Sequence, residues 1–465
     1  MNTTSDLTIG KPGKLILKFY VPLLLTNALQ QLYSFADTAI VGKGLGDNSL
    51  AAVGNMASLC FLIIGFSMGL SNGFSIIIAQ CFGEKEYRKL CKTLAVSIKL
   101  AVAITILLTA FSITFLRTVL TLLQTSPVIM EESLGYGYIL FGGLICTIGY
   151  NMCSGVLRSL GDSRTPLKAI IVSTIMNIVL NAVFIFWCGW GVAGVAWATI
   201  IAQFFSALVC FDKLRKIEFL KLTKEDFAFD IKMSTALLKN GLPMAFMNSI
   251  TAIGCMVVQY FVNGLGVAYT SAYSVCSRYI NMFMQPAATA GMAMSSYTGQ
   301  NYGAKRFDRI LDGLKVCLGI AAIVYVIFGS ALVLIPRQLA SLILNGEEQI
   351  NLVVQFMPIC GSMMLLVDTL FVVRNAVQGM GFPFIPMLSG IAEMFLRIGA
   401  IVLLVDSMGF RATAVAEVSA WIGALLINVA AFILVFTRER RLNSPDGRSC
   451  NMISHIRPAH AFIHR

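Results

Sequence analysis

Four side chains in the first half of the chain have the types and spacing to handle a small cation. Asp37 lies in the apolar run LYSFADTAIVGKG, and Tyr33 stands four residues before it, on the same face of a helix. Asn177 and Asn181, in MNIVLNAVFIF, share a helix face at the same spacing. A carboxyl can take up a proton or a sodium ion, and hard cations prefer oxygen ligands, which a phenol and two amides can supply. A charged group at mid-span costs about 2.5–3.5 kcal/mol, so an acid there needs a reason. Two readings of Asp37 stand at this stage: a coupling carboxylate whose occupancy is tied to conformation, or a cap near the Gly42–Gly46 turn. The two asparagines either ligate a cation and bridge to Asp37, or hold helices together.

The second half carries Arg278, Asp368, Arg374, Glu393, Arg397 and Glu417 within apolar stretches. Glu393 and Arg397, four apart, are expected to pair on their own helix. Asp368, in MLLVDTLFVV, has no partner in its own helix and belongs either to a buried charge network or to a wet cavity that attracts cations. All three histidines (His455, His460, His464) fall in the C-terminal tail, and the twelve cysteines form no CxxC pair. The cysteines read as small hydrophobes rather than disulfides or a metal site. GFSMGLSNG, residues 65–73, holds two overlapping GxSxG matches at Ser67 and Ser71, but a serine nucleophile needs a base that the apolar region lacks. Gly65, Gly69 and Gly73 instead predict a smooth face for close helix packing. No enzyme is expected.

The elements that must position these groups come in two sets. AQCFGEKEYRKL from Ala79 returns as GQNYGAKRFDRI from Gly299, an offset of 220 residues that also pairs Gly46 with Gly266, Gly161 with Gly381 and Pro166 with Pro386. Only the first helix slips by one, Pro22 against Pro243. Hydrophobic residues make up 57% of the chain and charged residues 12%. That balance describes a multispanning membrane protein. A long internal repeat in such a chain predicts two homologous lobes with a site between them, the architecture of a transporter. Spans are predicted near 15–41, 51–80, 90–116, 131–157, 166–187 and 192–211. The second lobe follows near 236–262, 270–298, 313–335, 350–378, 386–405 and 412–436. The expected organisation is an N-terminal segment 1–14, a six-helix lobe 15–211, a linker 212–235, a second six-helix lobe 236–436 and a tail 437–465.

The net charge of +12 is concentrated after the even-numbered spans, as in Lys85, Arg88, Lys89 and Lys92, or Lys213, Arg215 and Lys216. This positive-inside bias predicts cytoplasmic termini and linker and argues against nucleic acid as a partner. The first apolar stretch has no cleavage site after it and is expected to be retained. Asp212 to Met233 interleaves Leu, Ile and Phe with Lys and Glu, as expected for a helix on the membrane surface.

The ordered motifs VPLLLTNALQQLYSFADTAIVGKGLG, LAAVG, YNMCSGVLRSLGDSRTP, MNIVLNAVFIF, GVAGVAWAT and SRYINMFMQPAATAGMAMSSYTGQNYGA resemble the MATE (multidrug and toxic compound extrusion) family of antiporters, bacterial type, over about residues 15–436. The resemblance places the chain in the multidrug/oligosaccharidyl-lipid/polysaccharide exporter superfamily. It implies an all-α membrane protein of twelve helices in two pseudo-symmetric six-helix lobes. Members exchange H+ or Na+ for organic compounds, often cationic drugs, without a resident cofactor. Asp37 then falls on the family's first-helix coupling acid, with Tyr33 its usual neighbour. Asn177 and Asn181 fall on a fifth-helix Asn and Asp of some members, so Asn181 stands in place of a carboxylate. Asn151 matches a fourth-helix position that is often polar. Asp368 matches a tenth-helix Asp of one bacterial branch; that branch's seventh-helix Glu is met here only by neutral Asn248, Ser249 and Thr251. The resemblance thus assigns cation coupling to Asp37, Tyr33, Asn177 and Asn181. With the residues above, it makes Asn151, Asp368, Arg278 and Thr251 the candidate substrate-cavity residues. It implies small-molecule substrates, a lipid bilayer, a monomer, and multi-pass residence in the bacterial plasma (inner) membrane. The alternative is a lipid or lipid-linked oligosaccharide flippase. That reading draws on Arg278, Arg374 and Arg397 as cavity cations, and weakens if they pair with Asp368, Glu393 or Glu417.

Overall fold

The computed structural model describes residues 5–228 and 230–443, so the tail beyond 443, with its three histidines, and residues 1–4 lie outside the described residues. Every regular element among them is helical. The first set comprises α1 (Pro12–Leu45), α2 (Asp47–Glu84), α3 (Tyr87–Leu122), α4 (Pro127–Gly142), α5 (Leu144–Ser159), α6 (Arg164–Ala182) and α7 (Gly191–Arg215). The second comprises α8 (Ile231–Leu265), α9 (Val267–Gly303), α10 (Phe307–Val324), α11 (Ser330–Leu334), α12 (Pro336–Ser341), α13 (Glu347–Ser362), α14 (Met364–Gly379), α15 (Phe384–Met408) and α16 (Arg411–Leu442).

The repeat extends to backbone detail. Gly46 and Gly266 both turn with positive φ (86° and 119°), a conformation that glycine adopts without a Cβ clash. Lys85 and Lys305, also 220 apart, both sit in the left-handed region at 62° and 57°. The fourth span of each set is broken at a matched place. α4 and α5 meet at 45° around Gly143, and α13 and α14 at 48° around Met363. The Gly142–Gly143 pair is the local cause of the first bend. Nine helical stretches are long and apolar enough to cross a bilayer, and each bent pair adds one more crossing. The twelfth is α9. Its 37 residues span roughly 55 Å, ample to cross, but Ser274, Arg278, Asn281 and Gln285 keep it outside the apolar set. The protein is an all-α membrane protein of twelve spans in two pseudo-symmetric six-helix lobes.

The described chain divides into two compact units: 5–6 with Val21–Ala245, and Leu7–Tyr20 with 246–443. Within each unit the same pairs pack. α2 lies on α5, α5 on α7 and α6 on α7; correspondingly α9 lies on α14, α14 on α16 and α15 on α16. In unit 1 the glycine face of α2 does its packing at two positions. A Cβ on Gly73 would lie 2.5 Å from the Gly241 Cα, and one on Gly69 2.6 Å from the Ala245 Cα, whereas Gly65 has nothing within 4 Å. The first turns of α8 therefore belong to the packing of unit 1.

The linker departs from the expected surface helix. After α7 it forms two short 3-10 turns, Glu218–Leu220 and Lys224–Phe227, separated by extended residues. Ile217 and Leu220 are buried, Cys91 of α3 donates to the Phe219 carbonyl at 3.2 Å, and Lys92 pairs with Asp230 at 2.6 Å. The apolar residues are used up in this strap over α3, and a Thr223–Asp226 capping box starts a new turn instead of continuing a helix. The hydrogen bond from Lys92 holds the Asp230 carboxyl below its ordinary range, and backbone donation at Thr223 does the same for Asp226.

In unit 2 the stretch before α1 is pinned. Leu7 donates its N–H to Gln300 Oε1 at 2.8 Å, and Arg306 and Arg309 donate to the carbonyls of Thr8 and Gly10 at 2.9 Å each. These are the repeat-motif residues of GQNYGAKRFDR, so that motif serves to hold the N-terminal segment.

Candidate functional site

The unit 1 residues singled out by type converge on one place. Asp37, on α1, accepts a hydrogen bond from Asn181 Nδ2 at 2.6 Å, and the same Nδ2 donates to Asn177 Oδ1 at 3.1 Å. Both asparagines are fully buried on α6, while Asp37 is partly exposed. The i,i+4 spacing places the two amides one above the other, and only Asn181 reaches the carboxyl. The chain of bonds leaves Asn181 Oδ1 and Asn177 Nδ2 buried without a partner among the described residues. An unpaired acceptor oxygen next to a carboxylate is a suitable oxygen ligand for a hard cation.

Tyr33 turns its hydroxyl to a different partner. Its hydroxyl bonds Thr199 Oγ1 on α7 at 3.3 Å rather than Asp37. The two residues share a helix face, but the longer phenol passes beyond the carboxyl to the neighbouring helix, and Asn181 takes the carboxyl. Tyr136 on α4, buried, lies close enough to Asp37 and Tyr33 to interact with both electrostatically. Thr199 and Tyr136 were absent from the sequence reading, although the repeat contains a signal for one of them. The repeat counterpart of Tyr136 is Phe356, so the first lobe differs there by one hydroxyl. Likewise Asn181 has Ile401 as its counterpart.

Unit 2 is built differently. Arg374 Nη2 donates to Glu393 Oε2 at 2.8 Å, Arg397 Nη2 donates to Glu393 Oε1 at 3.2 Å and Glu417 Oε2 at 3.0 Å, and the Tyr273 hydroxyl donates to Glu417 Oε1 at 3.4 Å. Two positive and two negative groups cancel, and the four charged side chains are 3–13% exposed. Arg397 takes the repeat position of Asn177 and fits because Gly254 faces it, where a Cβ would lie 3.0 Å from its NH1. Asp368, on α14, stands outside this network: fully buried, neither of its oxygens has a hydrogen-bond partner among the described residues. An ionised carboxylate in that setting is an uncompensated charge, so a proton or a cation must satisfy it.

Asn151 is half-buried on α5 in unit 1. Thr251, on α8, spends its hydroxyl on the Met247 carbonyl of its own helix at 3.1 Å. Arg278, on α9, is exposed and makes no ion pair among the described residues.

The sequence profile described as MatE matches residues 22–183 and 243–403, covering both lobes. The chain belongs to the MATE family. This is a family of multidrug efflux transporters, membrane proteins and not enzymes. Among MATE relatives, the Probable multidrug resistance protein YoeA of Bacillus subtilis is 31% identical over 341 residues, 71% of this chain and 73% of that one. The Probable multidrug resistance protein NorM of Synechocystis is 26% identical over 92% of this chain and 94% of its own. The solved MATE structure in the bent conformation superposes with a TM-score of 0.87 at 22% identity, over 95% of this chain and 98% of that one, and shares the fold. An outward-facing multidrug resistance MATE transporter gives 0.87 at 21% identity, over 96% and 99%. The chain is thus a multi-pass membrane transporter with small-molecule substrates.

Proposed function

We propose that this MATE protein exports organic compounds, cationic drugs among them, in exchange for H+ or Na+, with Asp37 as the coupling carboxylate. The observation that carries this reading is the 2.6 Å bond from Asn181 to Asp37, which ties α1 to α6 across 144 residues of sequence. A proton or cation arriving at Asp37 competes with Asn181 for the same oxygen. Its binding weakens the α1–α6 tie, and its release restores that tie, so ion occupancy and helix packing are one equilibrium. One carboxylate supports one monovalent cation per cycle. The closed charge network of unit 2 presents no net positive charge to a cationic substrate. The positive-inside bias supports cytoplasmic termini in a bacterial plasma membrane, and the chain is proposed to act as a monomer.

The driving force has a definite size. One elementary charge crossing about 100 mV is worth ~2.3 kcal/mol, or roughly fifty-fold in accumulation. An exchange of one H+ or Na+ for one monovalent cation moves no net charge, so the ion gradient alone drives it. The flippase alternative loses two of its three cations, since Arg374 and Arg397 are spent on Glu393 and Glu417.

Asn181→Asp tests the site. It adds a second negative charge within hydrogen-bond distance of Asp37, which two carboxylates tolerate only by sharing a proton or cation. Transport by this variant is expected to need about tenfold less ion, or to reach its optimum at higher pH. Measured ion dependence that is unchanged in both Asn181→Asp and Asn177→Ala would make these amides packing residues and dismiss the site.

A further inference from the structure

We infer that α9 carries a recognition face for an oxyanion, so that the substrates of this protein include amphiphiles bearing a carboxylate or phosphate group. This rests on the export reading above and adds anionic amphiphiles to the substrates it names. Arg278, Asn281 and Gln285 stand at i, i+3 and i+7 on one face of α9, spread over about 10 Å of its length. Arg278 and Asn281 are exposed and Gln285 is half-buried, and none of the three side chains has a partner among the described residues. The opposite face, with Tyr279, Ile280, Phe283 and Ala287, is buried within unit 2.

The acids that could have neutralised Arg278 are accounted for. Glu393 and Glu417 are engaged by Arg374, Arg397 and Tyr273, and Asp368 is fully buried with neither oxygen bonded. A guanidinium and two amides turned toward hydrocarbon are among the most costly side chains a membrane helix can present, so this face meets water. A free guanidinium in a wet site presents a planar fork of donors that matches a carboxylate or phosphate bidentately. The two amides beside it add donors for the remaining oxygens. No acid stands on this face to favour a cation there. The low apolarity that separates α9 from the other eleven crossings has the same origin.

Purified protein in proteoliposomes, with an imposed ion gradient, tests the inference. The probes are one fluorescent amphiphile in three forms: free carboxylate, methyl ester and amine. The wild type is expected to move the carboxylate in clear preference to the ester. Arg278→Gln is expected to lower the carboxylate-to-ester ratio about 10- to 100-fold, the loss of a charge-assisted bidentate contact, while Arg278→Lys, which keeps the charge without the fork, recovers only part of it and Arg278→Glu reverses it. Two sources of the oxyanion are separated by a second arm. Labelled phosphatidylglycerol and phosphatidylcholine are followed between leaflets. Flipping of phosphatidylglycerol that depends on Arg278 assigns the face to a lipid headgroup, and its absence assigns it to a soluble organic anion. A wild type that moves the amine but does not distinguish carboxylate from ester overturns the inference and leaves the export reading standing. An unchanged ratio in Arg278→Gln does the same. Failure to move any of the three probes under either ion gradient counts against the export reading itself.

Discussion

Asp37→Asn is expected to abolish gradient-driven accumulation while leaving the protein folded and in the membrane. A tenfold ion gradient is worth about 1.4 kcal/mol and supports up to about tenfold accumulation in a one-for-one exchange. Without a titratable group on α1 the ion has no handle on the helix packing, and the accumulation ratio should fall to about one. Folding should survive because the amide keeps the size of the carboxyl and an oxygen that accepts from Asn181. The charge-assisted character of that 2.6 Å bond is lost, which costs on the order of 1 kcal/mol, small against the stability of a domain. Drug efflux from energised cells, together with membrane abundance, separates the two effects. Normal accumulation by this variant would move coupling elsewhere, and Asp368 is the next acid to examine.

Glu393→Ala should unfold or strongly destabilise unit 2. Among the described residues Glu393 is the only carboxylate bonded to Arg374 and one of two bonded to Arg397, and its own side chain is 7% exposed. Removing one partner of a buried ion pair costs about 3–5 kcal/mol, because the stranded charge has no water to replace the lost contact. Two arginines are affected here, so the upper part of that range applies. Thermal melting in detergent should show a lower midpoint and reduced folded yield. Glu393→Ala combined with Arg374→Ala should recover part of the loss, since it restores the balance of charge. A midpoint unchanged in the single variant would mean that water reaches this network and that it contributes little to stability.

Much of this was legible from residue types and spacing. The spans follow from apolar runs, and the repeat in the sequence alone marks the equivalent turns at Gly46 and Gly266. Glu393 and Arg397 were readable as a pair because a helix brings i and i+4 together. The bond from Arg374 to Glu393 was not, because it joins separate helices and no local rule sets it. Tyr33 shows the same limit. Its position on the face of Asp37 was legible, but its partner Thr199 lies 166 residues away. The linker misled because alternating apolar and charged residues suit a surface helix as well as a strap packed on α3. Only the tertiary burial of Ile217 and Leu220 distinguishes the two.

Whether a cation at Asp37 drives export is addressed most directly by one measurement. Wild-type protein and Asp37→Asn are reconstituted in proteoliposomes, and a pH gradient and a sodium gradient are imposed separately at zero membrane potential. The account predicts that one of the two gradients alone drives a cationic fluorescent substrate against its concentration in the wild type, and that neither does so in the variant. Accumulation that is equal in the two proteins, or wild-type transport that ignores both gradients, would contradict it.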